Sequence, residues 1–301
     1  MSKRTDTASS VLEGESLDGQ RMVITGCAGG IGLAAARALA AKGAHIIALA
    51  RNADAASQAA AAIGHEASGV PCDLADLASV GRAARAIANN GHGPIDVVIA
   101  NAGIGNLRER QVRHGVEMQF LVNHLAHFLL VDRLSPALRD GTGRVVVTSS
   151  SASVGQAPRE GIEFENLDGA HGYRASAFYG QSKLANALFA RSLAGKLAAR
   201  GIVANSLHPG AVAHTGFNKS LKFPLSMILR LAMPFMKTPE QGAATIALLA
   251  GSSRAKGQTG LYWVDGMPAE GSRFLKDDAL AQRLWATSRT ILECEGFATT
   301  L

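Results

Sequence analysis

Met22-Val-Ile-Thr-Gly26-Cys-Ala-Gly29-Gly30-Ile-Gly32 leaves a short β-branched run and enters an alanine-rich segment. Glycines at such a junction let the backbone approach a pyrophosphate, and the N-terminus of the following helix offers unpaired N–H groups and the positive end of its dipole. The spacing G-x-x-x-G-x-G is a variant of the dinucleotide fingerprint G-x-G-x-x-G. Alone, it fits an ordinary glycine-rich turn as well as a cofactor turn, for which the candidate contacts are Gly26, Gly30, Ile31 and Gly32.

Similar β-branched runs alternate with longer alanine-rich and leucine-rich segments along the chain. The runs that we predict as buried strands are Met22–Thr25, His45–Leu49, Val97–Ala100, Val145–Thr148, Ile202–Leu207 and Leu261–Val264. The segments that we predict as helices are Gly30–Ala41, Asp76–Asn89, Val116–Ala137, Ser176–Arg200 and Pro239–Ala250. This alternation predicts the α/β class, with a single Rossmann-type doubly wound parallel sheet flanked by helices on both faces. Ligands are expected beyond the carboxyl ends of the strands.

The composition bounds the domain count and the partners. A chain of 301 residues, 47% of them hydrophobic, can bury a substantial core. We interpret residues 1–18 as an N-terminal tail and residues 19–301 as a single dinucleotide-binding catalytic domain. The net charge of +6 comes from basic residues scattered along the chain, which gives no support to a nucleic-acid surface.

The three cysteines, Cys27, Cys72 and Cys294, are odd in number and far apart, so no disulfide framework is predicted and a cytoplasmic location is expected. No apolar stretch follows the basic N-terminus, which argues against a secretory signal, and no segment has the length of a transmembrane helix. No metal site is predicted, because no carboxylate or cysteine completes a ligand spacing with His124, His127, His208 and His214.

The end of the second predicted strand bears on the choice of cofactor. About 20 residues beyond the glycine turn, an acidic residue would bind the ribose 2′-hydroxyl of NAD. This sequence has Arg51-Asn52 there instead, and a guanidinium can bind the 2′-phosphate of NADP bidentately. We therefore favour NADP(H) over NAD(H), against the alternative that Arg51 is a solvated surface residue. Asp73-Leu74 at the adenine and Asn101-Ala102-Gly103 after the next strand are further candidate contacts, although both can also be strand-ending turns.

Tyr179 and Lys183 lie four residues apart, so they project from one face of a helix. A nearby ammonium lowers the pKa of a phenol from about 10 toward the range useful for proton transfer. Ser150 at the end of a buried strand would hydrogen-bond a substrate oxygen. Asn123 is polar among apolar helix neighbours, and an ordered water leading to Lys183 would satisfy it. Each residue alone is more often structural, but their joint order along the chain predicts a catalytic set.

These features together resemble the short-chain dehydrogenase/reductase superfamily. The resemblance runs from Asp18 to Leu292 and rests on Thr25–Gly32, Asn101–Gly103, Asn123, Ser150, Tyr179, Lys183 and Pro209-Gly210. Three segments, Glu117–Leu130, Tyr179–Phe189 and Arg283–Trp285, look like the retinol dehydrogenase branch and its bacterial relatives.

The resemblance implies further roles. Pro209, Gly210 and Val212 would line the nicotinamide, and Arg51 would match the arginine of an NADP-preferring branch. The family places a threonine or serine for the carboxamide five positions after the proline. Here that position is His214, so Thr215 becomes the candidate contact through a shift of one residue. Subunits would pair through the helices bearing Asn123 and Tyr179, giving a homodimer or homotetramer.

Substrate specificity is expected in the segment that follows the Pro-Gly pair, about residues 211–238, which is rich in phenylalanine, leucine and methionine. An apolar lid over a lipophilic substrate fits this composition, but a subunit contact or a membrane-surface helix fits it equally.

The leading hypothesis is an NADP(H)-dependent oxidoreductase that interconverts a carbonyl and an alcohol on a lipophilic small molecule, with Tyr179 as general acid/base. In this hypothesis Lys183 binds the nicotinamide ribose and tunes Tyr179, so both residues are also candidate cofactor contacts. The alternatives are a non-catalytic NADP-binding sensor and an enzyme of the same fold with other redox chemistry, such as an epimerase or an olefin reductase.

Overall fold

The computed structural model describes residues 6–64, 67–89, 91, 93–105, 107–213 and 236–301. The strands in this part are β1 (Arg21–Thr25), β2 (His45–Ala50), β3 (Ser68–Pro71), β4 (Val97–Ala100), β5 (Val112–Arg113), β6 (Val116–Glu117), β7 (Arg144–Thr148), β8 (Val203–His208), β9 (Tyr262–Val264) and β10 (Met267–Ala269). The α-helices are α1 (Gly30–Ala40), α2 (Ala53–Ile63), α3 (Leu77–Ala88), α4 (Met118–Phe120), α5 (Ala126–Leu134), α6 (Ala152–Gly155), α7 (Ala175–Lys196), α8 (Pro239–Gly251) and α9 (Asp278–Cys294). A π-helical segment, Leu121–Leu125, joins α4 to α5.

The strands form a main sheet of order β10-β9-β8-β7-β4-β1-β2-β3. Every neighbouring pair from β3 to β9 is parallel. The edge strand β10 is antiparallel to β9, so the sheet is mostly rather than wholly parallel. After β3 the chain crosses to the other side of β1 to form β4, which puts the topological switch point between β1 and β4. In such sheets the ligand crevice lies at this point.

Helices cover both faces of the sheet. Alternate side chains of each strand point to opposite faces, so Val23 joins the core beneath α3, α5, α7 and α9 while Ile24 joins the core beneath α1, α2 and α8. The predicted fold class is confirmed.

The segment before β1 packs against the domain and does not extend as the predicted tail. Val11, Leu12 and Leu17 are buried in the core beneath α1 and α8, and the Ala8 N–H donates to the main-chain carbonyl of Glu240 at 2.9 Å. The interpretation of residues 1–18 as a tail is thus wrong for its described part, residues 6–18.

The helices expected to pair subunits have no exposed outer face. Every residue from Gln119 to Asp132 and from Gln181 to Ala190 is buried within the single chain. The cover comes from α9, where Trp285 packs against Phe128 and Phe189. These helices therefore present no exposed face for the predicted subunit contact, because the chain's own C-terminal helix covers them, and the homodimer or homotetramer stays a prediction.

In the part of the chain described above, no helix combines the length and the apolar character that crossing a membrane requires.

Candidate active site

The ends of β1 and β4 are bonded to each other at the switch point. The hydroxyl of Thr25 accepts hydrogen bonds from the backbone N–H groups of Asn101 and Ala102, at 2.9 and 3.0 Å. The side-chain amide of Asn101 donates in return to the main-chain carbonyl of Thr25 at 3.0 Å. The candidate cofactor residues that follow the two strands are thereby fixed side by side.

Two glycines of the predicted cofactor turn are required by close contacts. Gly26 has a φ of +73°, and a Cβ there would lie 2.8 Å from the Cα of Ala102. A Cβ on Gly32 would lie 2.2 Å from the carbonyl oxygen of Gly26. The turn therefore folds back tightly on the start of α1, and only hydrogen fits at either position.

The start of α1 suits a phosphate group. Gly30 opens the helix with a φ of +56°, the space beside it is free of protein atoms, and no side chain caps the first N–H groups, which include that of Ile31. Unpaired N–H groups at a helix N-terminus favour an anion. The local geometry thus fits the pyrophosphate of a dinucleotide.

The other candidate cofactor residues at this edge of the sheet differ in whether protein groups already contact their side chains. The side chain of Asn52 caps α2 by accepting from the N–H of Ala55 at 2.8 Å, and Asp73 accepts from the N–H of Ala75 at 3.0 Å. Leu74 packs partly buried against the core. Arg51 is exposed at the end of β2, and its guanidinium makes no ion pair with any residue that the structure describes.

Tyr179, Ser150 and Lys183 come together beyond the carboxyl end of β7. The hydroxyls of Tyr179 and Ser150 hydrogen-bond, and Lys183 Nζ lies 5.9 Å from the centre of the tyrosine ring. Lys183 is buried, and its ammonium donates to the main-chain carbonyl of Thr148 at 3.2 Å. Three of the four predicted catalytic residues thus form one cluster.

The charges in this cluster differ from the sequence-based expectation. Burial raises the pKa of Tyr179, and its hydrogen bond with Ser150 only partly opposes that rise. Burial also lowers the pKa of Lys183 to about 8. Desolvation of the phenolate therefore outweighs the lowering of the tyrosine pKa that was expected from the lysine.

Asn123 is buried in the π-helical segment, and its amide is satisfied by protein groups. It accepts from the Ile104 N–H at 2.8 Å and donates to the Ile104 carbonyl and to the Ser182 hydroxyl, each at 2.9 Å. Its oxygen and Lys183 Nζ approach the same point, since a Cβ on Gly103 would lie 3.1 and 3.0 Å from them. Asn123 therefore holds the loop after β4 against α7, and a role in proton relay stays a prediction.

The Pro209-Gly210 loop is held by Lys237 and Asp265, neither of which was predicted as a site residue. Lys237 Nζ lies 3.4 Å from the Pro209 carbonyl and forms an ion pair with Asp265, and a β-bridge joins Val212 to Lys237. His208, one residue before the loop, accepts through Nδ1 from the N–H of Ser151 at 3.2 Å. Pro209 and Lys237 are far apart in the sequence and become neighbours only in the folded chain.

Some sequence-based predictions fall outside the described residues. They are the carboxamide contact Thr215, its neighbour His214 and most of the apolar stretch assigned to a lid at about residues 211–238.

A surface cleft of about 870 Å³ lies away from the candidate site, between residues 160–174 and the start of α9, and none of the four predicted catalytic residues lines it.

The sheet order, the switch point and the glycine turn define the class of Rossmann-type dinucleotide-binding proteins. The sequence profile of the short chain dehydrogenase family matches residues 20–162. The human WW domain-containing oxidoreductase is 32% identical over 302 residues, covering 95% of this chain and 71% of that protein. The chain therefore belongs to the short-chain dehydrogenase/reductase family, and its family assignment from sequence is confirmed.

Solved structures agree with this assignment. An uncharacterized protein of Mycobacterium paratuberculosis superposes with a TM-score of 0.77 at 30% identity, covering 98% of this chain and 99% of that one. A short chain dehydrogenase of Burkholderia cenocepacia, solved in complex with NADP, gives a TM-score of 0.66 at 27% identity, covering 83% and 98%. The chain is thus an oxidoreductase of a family whose fold binds a nicotinamide cofactor.

Proposed function

We propose that this protein is an NADP(H)-dependent oxidoreductase that interconverts a carbonyl and an alcohol on a lipophilic small molecule. The observation that carries the proposal is the hydrogen-bonded pair of Tyr179 and Ser150 beside the ammonium of Lys183, at the same sheet edge as the glycine turn.

Each residue of the site has a separate role in the proposed reaction. The nicotinamide, when bound, supplies or takes up the hydride. Ser150 donates a hydrogen bond that orients the carbonyl oxygen, and Tyr179 delivers its proton to that oxygen as the carbonyl becomes an alcohol. The ammonium of Lys183 stabilises the phenolate that remains after Tyr179 has given up its proton. Asn123 keeps the loop beside Lys183 in place. The reverse sequence oxidises the alcohol.

Burial keeps Tyr179 in its protonated form near neutral pH. A tyrosine whose pKa is raised stays protonated at neutral pH, which is the form that acts as an acid toward a carbonyl oxygen. Tyr179 is thus suited to donate the proton when a carbonyl is reduced.

NADP(H) is preferred over NAD(H) in this proposal because Arg51 offers an exposed guanidinium where a carboxylate would repel the 2′-phosphate. The contact of Thr215 with the carboxamide is proposed on the family pattern alone.

The lipophilic substrate class is inferred from the apolar composition of residues 211–238.

We further propose that the catalytic unit is a single chain, since α9 covers the helices that were expected to form a subunit contact. A cytoplasmic location is proposed from the three free cysteines, two of them buried.

The test is the loss of reduced-nicotinamide absorbance when the purified protein meets NADPH, and separately NADH, with retinal and aromatic and steroid carbonyls. Faster oxidation of NADPH than of NADH is expected with at least one of these substrates. Tight NADPH binding without turnover across the panel would favour the alternative of an NADP-binding sensor.

A further inference from the structure

His127 is a buried residue that the proposed mechanism does not use. It lies on α5 with none of its surface exposed. Its Nδ1 is 2.9 Å from the main-chain carbonyl oxygen of Asn123, and its Nε2 is 2.8 Å from the hydroxyl oxygen of Thr25. One imidazole thus bridges the π-helical segment that carries Asn123 and the end of β1 that begins the glycine turn.

These contacts determine where the imidazole proton sits. A carbonyl oxygen can only accept, so the Nδ1 facing Asn123 must carry a proton. Burial, aided by the positive charge of Lys183, lowers the pKa of His127 to about 4, and the ring is neutral near pH 7. A neutral imidazole has one N–H, so Nε2 is an acceptor and the Thr25 hydroxyl donates its proton to it.

The hydroxyl of Thr25 is then saturated. Its proton goes to His127, and its two lone pairs accept the N–H groups of Asn101 and Ala102. The opposite tautomer, protonated on Nε2, would direct three donors at two lone pairs and leave the hydroxyl proton without an acceptor. Only the Nδ1–H tautomer satisfies every group.

We propose that His127 is a positioning residue which, as the Nδ1–H tautomer, orients the Thr25 hydroxyl and thereby holds the Asn101–Ala102 turn at the cofactor site. Ala102 also backs Gly26, since a Cβ on that glycine would lie 2.8 Å from the Ala102 Cα. A displaced Asn101–Ala102 turn would therefore disturb the glycine turn directly. The effect on NADPH affinity rests on the proposed function, whereas the tautomer does not.

The first test addresses the tautomer in the protein without added cofactor, by NMR of imidazole nitrogens in histidine-labelled protein, with a His127→Asn spectrum for assignment. The expected result is a protonated Nδ1 and an unprotonated Nε2 that do not titrate between pH about 7 and about 5.5. A proton on Nε2, or titration near the ordinary pKa of about 6.5, would overturn the proposal.

The second test separates the two hydrogen bonds by substitution. Glutamine places an amide near the Nε2 position and keeps an acceptor for Thr25, whereas asparagine places one near Nδ1 and keeps only the bond to Asn123. His127→Asn should raise the NADPH dissociation constant roughly tenfold, a change of about 1.4 kcal/mol, and His127→Gln should restore most of the affinity.

A matched control lies three residues before His127, in the π-helical segment that leads into α5. His124 is equally buried, but its Nε2 lies 2.9 Å from the Ser288 hydroxyl on α9, away from the cofactor turn. His124→Asn should lower the melting temperature and leave the NADPH dissociation constant unchanged. Equal loss of NADPH affinity in His124→Asn and His127→Asn would reduce the role of His127 to general packing and overturn the proposal.

Thr25 supplies a second route if the histidine variants fold poorly. Thr25→Ser keeps the hydroxyl and should bind NADPH like the wild type, while Thr25→Val should bind more weakly. In the Thr25→Val background, His127→Asn should cause no further loss, and fully additive losses would contradict the coupling. Failure of the wild type to bind NADPH would instead count against the proposed function, and the NMR result would still decide the tautomer.

Discussion

The ring of Trp285 lies 4.7 Å from that of Phe128, centre to centre, so the C-terminal helix seals the face of α5 within one chain. The proposal that the catalytic unit is a single chain predicts that the protein is a monomer in solution. Light scattering coupled to size-exclusion chromatography should give a mass of 31.2 kDa that does not change on dilution. A mass of twice that value would contradict the single-chain proposal.

Gly32 and Gly195 both lie in α-helices, but a side chain would clash with protein atoms at Gly32 and would meet open space at Gly195. Gly32→Ala would drive a Cβ to 2.2 Å from the Gly26 carbonyl, so it should lower the free energy of unfolding by about 1–3 kcal/mol and abolish NADPH binding. A Cβ on Gly195 meets no atom within 4 Å, so Gly195→Ala should leave stability unchanged or raise it by up to about 1 kcal/mol. Chemical denaturation measures both changes. Equal stability of the two variants would show that the glycine turn is looser than described.

Arg51 is predicted to select the cofactor. Arg51→Ala should weaken NADPH binding about tenfold or more, because a charge-assisted hydrogen bond contributes about 1.5–3 kcal/mol. NADH binding should stay the same, since that cofactor has no 2′-phosphate. Titration calorimetry with both cofactors measures the two affinities, and Arg254→Ala, at an exposed position in the 3-10 helix Ser253–Ala255, is the control. Parallel loss of both affinities would contradict the assignment.

Two buried histidines predict acid sensitivity. Burial lowers the pKa of His124 to about 3 and that of His127 to about 4, and the positive charge of Lys183 contributes to the lowering at His127. Between pH about 6.5 and about 4 the unfolded chain binds more protons than the folded one, so stability falls as the pH falls through this window. Protonating His127 in the fold costs on the order of 3 kcal/mol.

Denaturation curves collected from pH about 7 to about 5 test this sensitivity. The free energy of unfolding should decline throughout, less steeply in His124→Leu than in the wild type. Exposed His171→Gln is the control and should follow the wild-type curve. A wild-type stability that is flat over this range would refute the neutral, buried state of these rings.

The strands were predicted closely from sequence because they are continuous apolar runs buried on both faces. For example, Val97–Ala100 was predicted with the observed bounds. The edge strand Ser68–Pro71 was missed, since half of its residues are exposed and it contains glycine and proline. The helix Asp278–Cys294 was not predicted, and its position over α5 and α7 is set by tertiary packing.

The site was predicted where its residues follow strands or share a helix face, as Tyr179 and Lys183 do. Sequence could not show that burial would raise the pKa of Tyr179 or that protein groups would satisfy the amide of Asn123. His127 was considered only as a rejected metal ligand, since its contact with Thr25 joins positions 102 residues apart.

The most direct measurement of the central claim compares Tyr179→Phe with the wild type in NADPH binding and in NADPH-dependent carbonyl reduction. Tyr173→Phe, which changes a tyrosine bonded to the Leu107 carbonyl, is the control. The phenol of Tyr179 is the proton donor in this account, so Tyr179→Phe should bind NADPH normally and lose about 100- to 10,000-fold in kcat. Wild-type turnover by Tyr179→Phe would contradict the account.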